Sequence, residues 1–409
     1  MSPVPSGWSG RRVLIGVGGG IAAYKVCELV STLAQAGAEV QVILTEAAQR
    51  FVTPLTFSSL SRRRAWTDAD FWTAEHGRPL HIELGEWAEL VVLAPLTADA
   101  LARLTWGLAE DLLGNTLLAS TAPVLLAPAM NTDMWEQPQV QRNWQQLLAL
   151  PRYAAVGPGS GRLACDRIGA GRMAEPVELL WAAECLLLQG PTRDLGDRQI
   201  LINAGGTREY LDPVRYIGNP STGRMGLALA WAARQRGATV TLVHAPWQGI
   251  PAALTQGFTT VAVETAEQMR VAMLDVFPAA DWTFLAAAVG DVRPAQTATR
   301  KLAKAELPSA LPLTLIGDIA LELSQQRKPH QKLIGFAAQT GEVRTPAREK
   351  CRRKGLDAIV ANPVDLPGVG FGSDHNQAWF IRPDGHETDL GWGSKLAIAQ
   401  AILDQTLGL

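Results

Sequence analysis

The sequence predicts an α/β protein of two Rossmann-like, three-layer domains, each a parallel sheet with helices on both faces. Residues 12–17 form an apolar run that stops at three glycines and continues into a helical pattern, as a buried strand, a turn and a helix would. The same order of strand, glycine turn and helix begins again at residue 199. A chain of 409 residues also exceeds the length that one hydrophobic core usually serves. We therefore expect one domain over residues 1–190 and another over residues 191–409.

Composition excludes several classes of protein. The 37 Lys and Arg residues nearly balance the 39 Asp and Glu residues, so no excess of charge attracts nucleic acid or an anionic membrane. The four cysteines, Cys27, Cys165, Cys185 and Cys351, lack the ligand spacing of a structural zinc site. No signal-peptide pattern and no bilayer-spanning apolar run is present in the sequence. We expect a cytoplasmic protein that acts on small molecules.

The first domain opens with a βαβ unit. Residues 13–17 are predicted to be a strand, residues 22–36 a helix, and residues 37–45 a turn followed by a second strand. Such a unit implies a parallel sheet, and sheets of this kind bind ligands beyond the carboxyl ends of their strands.

Two later apolar runs, residues 89–95 and 122–128, each end in Ala-Pro. Proline cannot donate to the hydrogen-bond ladder, so we expect both strands to leave the sheet at the same edge. The loops that follow, residues 96–99 and 129–131, are therefore expected to face one crevice.

Residues 157–173 are too rich in glycine for the interior of a strand or a helix. The pattern indicates a mobile loop, a candidate lid over the crevice. Residues 175–188 are predicted to form a helix and the polar residues 189–198 a linker, which places the end of the first domain near residue 190.

The second domain repeats the α/β pattern without repeating the sequence. The segment between residue 206 and the first helix is polar and rich in turn residues, and is expected to be a long loop. Helices are predicted at residues 226–236, 266–276, 346–354 and 394–407, and strands at residues 199–204, 239–243, 281–289, 332–338 and 356–362.

The first glycine turn could hold a phosphate group. Residues 18–23 fit the loose pattern GxGxxA, and Glu46 follows the second strand. Glycines in such a turn let a phosphate approach the backbone amides at a helix N-terminus. Flavin mononucleotide and dinucleotides both satisfy the pattern, and so does a tight turn that binds nothing.

Three further residues of the first domain are candidates for catalysis. His81, in His-Ile-Glu-Leu-Gly, could act as a base near neutral pH, although a single histidine among apolar residues is more often structural. The amide of Asn131 could hold a carboxylate, or cap the helix that follows it. Cys165, between two glycine clusters, could be presented to a substrate by a closing loop, or be an inert thiol.

The second domain carries a pattern that suits a nucleoside triphosphate with magnesium. Lys301 and Lys304 follow an acidic residue, Asp291, and Lys350 and Lys354 lie one helical turn apart. Clustered lysines usually form a solvated surface, but here they accompany a glycine turn and a carboxylate near a strand end. The Walker sequence GxxxxGK[ST] does not occur in the sequence, so the nucleotide would be held in another way.

These motifs occur together in an order that resembles one family. They are Gly-Gly-Ile-Ala-Ala-Tyr-Lys, His-Ile-Glu-Leu-Gly, Pro128-Ala-Met-Asn-Thr-Asp-Met-Trp135, the Cys165 loop, and Ala-Gly-Gly-Thr-Arg-Glu-Tyr-Leu-Asp-Pro-Val-Arg-Tyr-Ile at residues 204–217. The chain resembles the bifunctional phosphopantothenoylcysteine decarboxylase/phosphopantothenate–cysteine ligase family of coenzyme A biosynthesis. The resemblance covers nearly the whole chain and includes specific signatures in both halves.

For the first domain, the resemblance implies a flavodoxin-like flavoprotein decarboxylase that uses FMN as an electron sink. His81 matches the acid/base residue, Asn131 the anchor of the substrate carboxylate, and Cys165 the proton donor in the final reduction. Relatives usually have serine at the position of Gly18, so backbone amides would replace one hydrogen bond there. The positions that hold the flavin match Gly18, Gly19, Thr45 and Thr97.

For the second domain, the resemblance implies a ligase that activates 4′-phosphopantothenate with CTP as an acyl-cytidylate, which the amine of cysteine then attacks. Asn219 matches the residue that acts on the acyl-cytidylate, and Lys301 matches the lysine needed for the second step. Asp291 would also contact the magnesium ion that accompanies CTP. The positions that bind CTP match Asp291, Lys301, Asp318, Phe336, Lys350 and Lys354.

Several ligase motifs depart from the family pattern, so the ligase site is less typical than the decarboxylase site. Asn203 stands where relatives often have threonine. The other departures are Lys301-Leu-Ala-Lys304 for Lys-Ile-Lys-Lys, Ile316-Gly-Asp318 for Asn-Pro-Asp, Phe336-Ala-Ala-Gln-Thr340 for Phe-Ala-Ala-Glu-Thr, and Gly290-Asp-Val292 for Ala-Asp-Tyr.

Two other functions account for part of the chain. An NAD-dependent oxidoreductase would use the turn at residues 18–23, but leaves Asn131, the Cys165 loop and the second domain without a role. A non-catalytic flavin-binding regulatory subunit would be expected to lack the catalytic histidine or cysteine, and His81 and Cys165 are both present. The resemblance also implies homo-oligomers, with trimers of the first domain joined by dimers of the second.

Overall fold

The structure is a computed structural model that describes residues 6–73, 75, 77–163 and 166–409. The chain divides into two compact units, Met1–Thr192 and Arg193–Leu409, here called the first and the second unit. Within the described ranges, no helix combines the length and the apolar character needed to cross a bilayer.

The first unit alternates strands and helices along most of its length. Its buried apolar runs become strands; in the strand at Leu90–Leu96, for example, every residue is buried. The elements are β1 (Arg12–Val17), α1 (Ala23–Gln35), β2 (Glu39–Leu44), α2 (Pro54–Ser61), β3 (Ala65–Trp66), α3 (Asp68–Phe71), α4 (Leu80–Trp87), β4 (Leu90–Leu96), α5 (Ala98–Trp106), α6 (Leu112–Ala119), β5 (Val124–Pro128), α7 (Thr132–Trp135), α8 (Pro138–Leu148), β6 (Tyr153–Ala155), β7 (Gly159–Arg162), β8 (Ile168–Arg172) and α9 (Pro176–Gln189).

Six of these strands form one parallel sheet in the order β3-β2-β1-β4-β5-β6. Without the two-residue edge strand β3, the order is the flavodoxin-like 2-1-3-4-5. The order reverses between β1 and β4, and a doubly wound sheet opens a crevice at that point. The predicted βαβ opening and parallel sheet are confirmed.

The prediction of an irregular loop over residues 157–173 is wrong. β7 and β8 pair as an antiparallel hairpin in this segment. Gly171 has a φ of +129°, and a side chain there would lie 2.2 Å from the carbonyl oxygen of Met130. The glycine thus permits a close approach between β8 and the loop after β5, which the sequence pattern does not distinguish from flexibility.

The second unit is also α/β. Its elements are β9 (Gln199–Ala204), β10 (Arg208–Tyr210), β11 (Tyr216–Gly218), α10 (Arg224–Gln235), β12 (Thr239–His244), α11 (Ala252–Thr255), β13 (Thr259–Ala262), α12 (Ala266–Val276), β14 (Trp282–Leu285), β15 (Val292–Pro294), β16 (Leu313–Leu315), α13 (Ile319–Gln326), β17 (Lys332–Gln339), α14 (Arg344–Arg353), β18 (Ala358–Pro363), β19 (His375–Ile381), β20 (Glu387–Ser394) and α15 (Lys395–Leu407).

Its main sheet has eight strands in the order β13-β12-β9-β14-β17-β18-β19-β20. The first six are parallel, and β19 and β20 extend the sheet as an antiparallel pair. Two small hairpins, β10 with β11 and β15 with β16, lie outside this sheet.

Two sequence predictions for the second unit need correction. The predicted loop after residue 206 contains the β10–β11 hairpin. The predicted strand at residues 281–289 ends at Leu285, because the next residues bond to the glycine turn after β9 instead of continuing the ladder. In that turn, Ala288 donates its backbone N–H to the carbonyl oxygen of Gly205 at 2.8 Å.

A fully buried arginine joins the start of the second unit to its last helix. Arg236 is 1% exposed, and its guanidinium donates to the carboxylates of Asp194 at 2.5 Å and Asp404 at 2.7 Å. Burial alone would lower the pKa of Arg236, but its hydrogen bonds to the two carboxylates raise it. The charge is therefore compensated in the folded state.

Candidate active sites

The first unit contains a cavity of about 700 Å³ at the carboxyl ends of β1, β2 and β4. Four residues predicted to hold a flavin line this cavity, which we call the flavin cavity: Gly18, Gly19, Thr45 and Thr97. The switch point between β1 and β4 lies at the same edge, as expected for a ligand site in a doubly wound sheet.

The glycine turn of this cavity has no room for side chains. A Cβ atom at Gly18 would lie 2.4 Å from the carbonyl oxygen of Pro95, and one at Gly19 would lie 2.3 Å from the Cβ of Ala47. Gly18 and Gly19 line the cavity just before α1, where backbone amide groups favour a phosphate. The serine usual in relatives would not fit at position 18 without a shift of the backbone.

The two threonines order the loops that border the cavity. The hydroxyl of Thr45 donates to the carbonyl oxygen of Val17 at 3.2 Å and accepts from the N–H of Ala48 at 3.2 Å. Thr97 caps α5 by accepting from the N–H of Ala100 at 3.2 Å. Both hydroxyl groups are thus fixed in position at the strand ends.

Carboxylate side chains also line the flavin cavity, and the sequence motifs did not predict this acidic part of its wall. Asp68 accepts from the N–H of Leu112 at 2.8 Å and lines the cavity together with Asp111 and Glu46. Burial, followed by the charges of Asp111 and Glu46, raises the pKa of Asp68. A phosphate would avoid this side, which favours the glycine turn as its position.

A second cavity of about 680 Å³ shares Gly19, Thr97 and Met134 with the first. The loops after β4 and β5 contribute Ala98 and Asn131 to its wall. The prediction that these two loops face one crevice is therefore confirmed. We call this space the substrate cavity.

Asn131 caps a helix and also lines the substrate cavity. Its side-chain oxygen accepts from the N–H of Asp133 at 2.8 Å and caps α7. The same residue lines the substrate cavity. Since the carbonyl oxygen serves as the helix cap, the donor nitrogen is the part of the amide suited to a carboxylate.

Basic side chains also line the substrate cavity, a feature that the motifs did not predict. Arg162 and Arg172 belong to the β7–β8 hairpin, and Lys25 belongs to α1. Lys25 and Arg172 both contact the carboxylate of Glu175, at 2.9 and 2.6 Å. Two cations share one anion, so the wall keeps a positive balance that suits an anionic ligand.

The structure does not bring His81 to either cavity. His81 lies in the first turn of α4, is edge-on to the ring of Phe71 with 5.4 Å between ring centroids, and lines neither space. Its Nδ1 atom is buried and has no hydrogen-bond partner among the described residues. Cys165 lies outside the described residues.

In the second unit, most residues predicted to bind CTP form one charged cluster. Lys354 pairs with the carboxylate of Asp318 at 2.8 Å, and the ammonium group of Lys350 donates to the carbonyl oxygen of Phe336 at 3.1 Å. Burial alone would raise the pKa of Asp318, but the hydrogen bond and charge of Lys354 lower it. Asp318 also caps α13.

Lys350 is a partly buried cation of this cluster. Its pKa is lowered, first by burial and then by the nearby charge of Lys354, while Asp291 and Asp318 partly restore it. Asp291 is exposed and lies beside Ile316, whose N–H donates to the Asp291 carbonyl oxygen at 3.0 Å. Cations close to an exposed carboxylate can serve a triphosphate and its metal ion.

The loop that leads to Asp291 is tied to the second glycine turn. Asn203 is buried and accepts from the N–H of Ala287 at 2.8 Å, and Thr207 accepts from the N–H of Gly290 at 2.9 Å. The amide of Asn219 donates to the carbonyl oxygen of Ala288 at 3.4 Å. Asn219 is therefore placed beside the loop that carries Asp291.

None of the described contacts of this cluster involves Lys301. It is exposed and belongs to a segment without regular secondary structure. The described contacts of the segment include one with the β10–β11 hairpin, where the N–H of Ala298 donates to the carbonyl oxygen of Leu211 at 2.9 Å. No set of three or more His, Cys, Asp or Glu side chains within the described ranges is arranged to hold a metal ion.

Two families match the two halves of the chain. Residues 1–183 match the flavoprotein family. Residues 195–409 match the family described as the DNA/pantothenate metabolism flavoprotein C-terminal domain.

Curated relatives match over nearly the whole length. The coenzyme A biosynthesis bifunctional protein CoaBC of Bacillus subtilis is 42% identical over 400 residues, which is 98% of this chain and 97% of that protein. The protein of the same name from Mycobacterium tuberculosis strain H37Rv is 43% identical over 410 residues, with 96% of each chain covered.

Solved structures match each half separately. The C-terminal domain of a coenzyme A biosynthesis bifunctional protein CoaBC is 34% identical and covers 53% of this chain and 96% of its own, with a TM-score of 0.44. A PPC decarboxylase mutant complexed with pantothenoylaminoethenethiol is also 34% identical and covers 42% of this chain and 94% of its own, with a TM-score of 0.39.

Proposed function

The chain belongs to the family of coenzyme A biosynthesis bifunctional proteins, and we propose that its two units catalyse consecutive steps on one substrate. It is a bifunctional enzyme, with a flavoprotein decarboxylase unit followed by a ligase unit. The ligase condenses 4′-phosphopantothenate with cysteine. The decarboxylase converts the product, 4′-phosphopantothenoylcysteine, to 4′-phosphopantetheine.

FMN is the proposed cofactor of the first unit. The glycine turn supports this proposal, since it exposes backbone where side chains cannot fit and stands at the N-terminal end of α1. Gly18 and Gly19 would hold the phosphate, and Thr45 and Thr97 would border the ring. When bound, FMN supplies a reversible two-electron acceptor, which lets the cysteine moiety of the substrate lose carbon dioxide and then be reduced.

Asn131 is the proposed anchor of the substrate carboxylate. Its amide nitrogen can donate to the carboxylate while its oxygen remains on the N–H of Asp133. The positive balance of Lys25, Arg162 and Arg172 suits a substrate that carries both a carboxylate and a phosphate. Cys165 is proposed as the proton donor of the final reduction.

We propose that His81 completes the site of a neighbouring copy. Its absence from the lining of both cavities supports this role, since a residue needed at the substrate must then come from another chain. Trp72 follows α3 and lies next to Phe71, whose ring contacts His81. Trp72 is 84% exposed. An aromatic side chain that is covered by a second copy would be exposed in this way when one chain is considered alone. A trimer of the first unit would satisfy both features.

Dimers of the second unit would join such trimers. The β10–β11 and β15–β16 hairpins carry exposed apolar side chains, among them Val214 at 58% and Leu315 at 81%. Exposed apolar groups on neighbouring hairpins are typical of a contact between copies. The dispersed cysteines agree with a cytoplasmic location.

CTP is the proposed co-substrate of the second unit. Lys350 and Lys354 would neutralise its phosphates, and Asp318 and Phe336 lie within the same cluster. The described side chains do not form a metal site by themselves, so magnesium would arrive with CTP and contact Asp291. Asn219 is proposed to act on the acyl-cytidylate, and Lys301 to bind CTP and support the attack by cysteine.

The observation that carries this proposal is the presence of two separate sites with different chemistry, a glycine-lined cavity and a lysine–carboxylate cluster. The full chain should purify with the absorbance of a flavin. With 4′-phosphopantothenate, cysteine and CTP, it should release pyrophosphate and form 4′-phosphopantetheine, which mass spectrometry detects. A colourless protein would contradict the first half, and pyrophosphate release that is equally fast with ATP would contradict the choice of CTP.

A further inference from the structure

A buried carboxylate connects two segments of the second unit that carry proposed ligase residues. The side chain of Asp212 is fully buried in the turn between β10 and β11. One of its oxygens accepts from the backbone N–H groups of Val214 at 2.8 Å and Arg215 at 2.9 Å. The turn that leads through β11 to Asn219 is therefore closed by Asp212.

The other oxygen of Asp212 reaches across to the segment of Lys301. It accepts from the backbone N–H of Leu302 at 3.2 Å and from the guanidinium of Arg215 at 2.6 Å. The same guanidinium donates to the carbonyl oxygen of Leu302 at 3.2 Å. Both backbone groups of Leu302, the residue after Lys301, are thus bound by the Asp212–Arg215 pair.

The energetics of this contact favour a single arrangement. A buried carboxylate is costly unless its oxygens are satisfied, and here both oxygens have donors. Burial alone would raise the pKa of Asp212, but the backbone donors and the charge of Arg215 lower it, so the group is ionised near neutral pH. The segment around Lys301, which has no regular structure, is held by this charge.

We propose that Asp212 is a positioning residue of the ligase reaction, which fixes the backbone at Leu302 and so holds Lys301 where the second step needs it. This inference rests on the proposed role of Lys301 in amide formation. The carboxylate of Asp212 is fully buried and so has no surface to offer a substrate or nucleotide. It acts through the position of another residue, and a small displacement of a catalytic group is enough to slow a reaction strongly.

Asp212→Asn tests this inference, because it keeps the size of the side chain and replaces one acceptor by a donor. Without cysteine, the variant should still form one equivalent of pyrophosphate per active site. With cysteine, amide formation should fall by roughly tenfold to a hundredfold, and the acyl-cytidylate should accumulate in mass spectra of quenched reactions. Amide hydrogens of peptides covering residues 297–303 should exchange faster than in the wild type.

Glu209→Gln is the matched control. Glu209 is a buried carboxylate of the same hairpin, but it accepts from the N–H of Ala266 at 2.8 Å, at the start of α12. This variant should keep the normal ratio of pyrophosphate to amide product. Equal losses of both half-reactions in Asp212→Asn, or unchanged amide formation, would overturn the inference.

Two further variants keep the test decisive. If Asp212→Asn does not fold, Thr297→Val is tested instead. The exposed hydroxyl of Thr297 donates to the carbonyl oxygen of Tyr210 at 2.9 Å, so its removal weakens another contact between the segment of Lys301 and β10. It should cause a smaller accumulation of acyl-cytidylate, and a normal product ratio would count against the inference.

Lys301→Gln is assayed in parallel. Normal amide formation in Lys301→Gln would refute the proposed role of Lys301. Faster amide hydrogen exchange in Asp212→Asn tests a separate point, the contact between Asp212 and Leu302, and does not depend on the role of Lys301.

Discussion

At the switch point of the first sheet, Gly18 and Gly19 lead within a few residues into α1, and the space beside them is a cavity of about 700 Å³. At the corresponding point of the second sheet, Gly205 and Gly206 are followed by the β10–β11 hairpin before α10 begins. A Cβ atom at Gly206 would lie 2.5 Å from the carbonyl oxygen of Asn219. Both turns are packed closely against their own chain, but Gly18 and Gly19 also line a cavity.

The difference shows that one topology supports two kinds of site. The first turn exposes backbone to a ligand, so added atoms should damage it. The second turn is held by side chains, such as those of Asn203 and Thr207, that accept hydrogen bonds from backbone N–H groups. Substitutions that remove these polar atoms should therefore destabilise the turn. The two units should accordingly respond to different substitutions.

The largest effect is expected from Cys165→Ser. If this variant slowed the reactions of both units, the claim that the two units respond to different substitutions would be wrong. Loss of the proposed proton donor should slow formation of 4′-phosphopantetheine by roughly a hundredfold or more, since positioned proton transfer contributes that much. Pyrophosphate release by the ligase unit should not change. The control is Cys27→Ser, a half-buried thiol on α1. Normal decarboxylation by Cys165→Ser would refute the donor role.

Gly18→Val should come next. The added atoms would overlap the carbonyl oxygen of Pro95 and force the turn to shift, which we expect to weaken FMN binding by roughly tenfold to a hundredfold. Flavin fluorescence during titration of the apoprotein measures the dissociation constant. Gly77→Val is the control, because a Cβ atom there meets nothing within 4 Å. Equal flavin affinity in the two variants would show that the turn does not hold the cofactor.

Thr207→Val should have a smaller effect, confined to the second unit. It removes the acceptor of the Gly290 N–H, and an unsatisfied amide costs about 1–3 kcal/mol. The loop that carries Asp291 should loosen, and the KM for CTP should rise by roughly tenfold. Thr255→Val, an exposed threonine that bonds within α11, should leave this KM unchanged. An unchanged KM in Thr207→Val would show that the tether does not shape the nucleotide site.

The smallest effect concerns the ion pair of Asp318 and Lys354. Lys354 lowers the pKa of Asp318 below its ordinary value of 3.8, so the pair stabilises the folded state above that value and the stabilisation is lost as the pH falls through the lowered pKa. Lys354→Met should reduce the free energy of unfolding at pH 7 by less than about 1 kcal/mol, since the pair is partly exposed.

Urea unfolding without nucleotide, from pH 7 to pH 2, measures this difference. The two proteins should converge at the acid end. Lys304→Met is the control, since it removes an exposed lysine outside the pair. A difference that stays constant with pH would assign the effect of Lys354→Met to packing and not to charge.

Much of the fold could be predicted because its strands are continuous apolar runs. The strand at Gln199–Ala204 and the helix at Ala266–Val276 have the predicted bounds. Antiparallel β19 and β20 were missed because their alternating, partly exposed residues give a weak signal. The hairpin of β7 and β8 was mistaken for a loop, because glycine needed for a close contact looks the same as glycine in a flexible segment.

The sites were predicted in part. Residues that follow strand ends, such as Thr97 and Asn131, were found because parallel strands deliver their ends to one edge. Asp68 was missed because its contact with Leu112 is distant in sequence, and Arg172 because its segment was taken for a loop and not for a strand. Asp212 occurs in a family signature, but only the structure shows the bond to Leu302, 90 residues away. The role proposed for His81 requires a second copy, which the fold of one chain does not contain.

The ion pairs of the buried Arg236 with Asp194 and Asp404 determine where the two enzymes can be separated. A gene split at the first strand of the second unit, near residue 198, would leave Asp194 on the other fragment. The buried guanidinium would then keep only Asp404 as a charged partner, and loss of one partner of a buried ion pair costs about 3–5 kcal/mol. A ligase expressed alone should therefore begin at or before Arg193, which means that part of the apparent linker is inherited with the second enzyme.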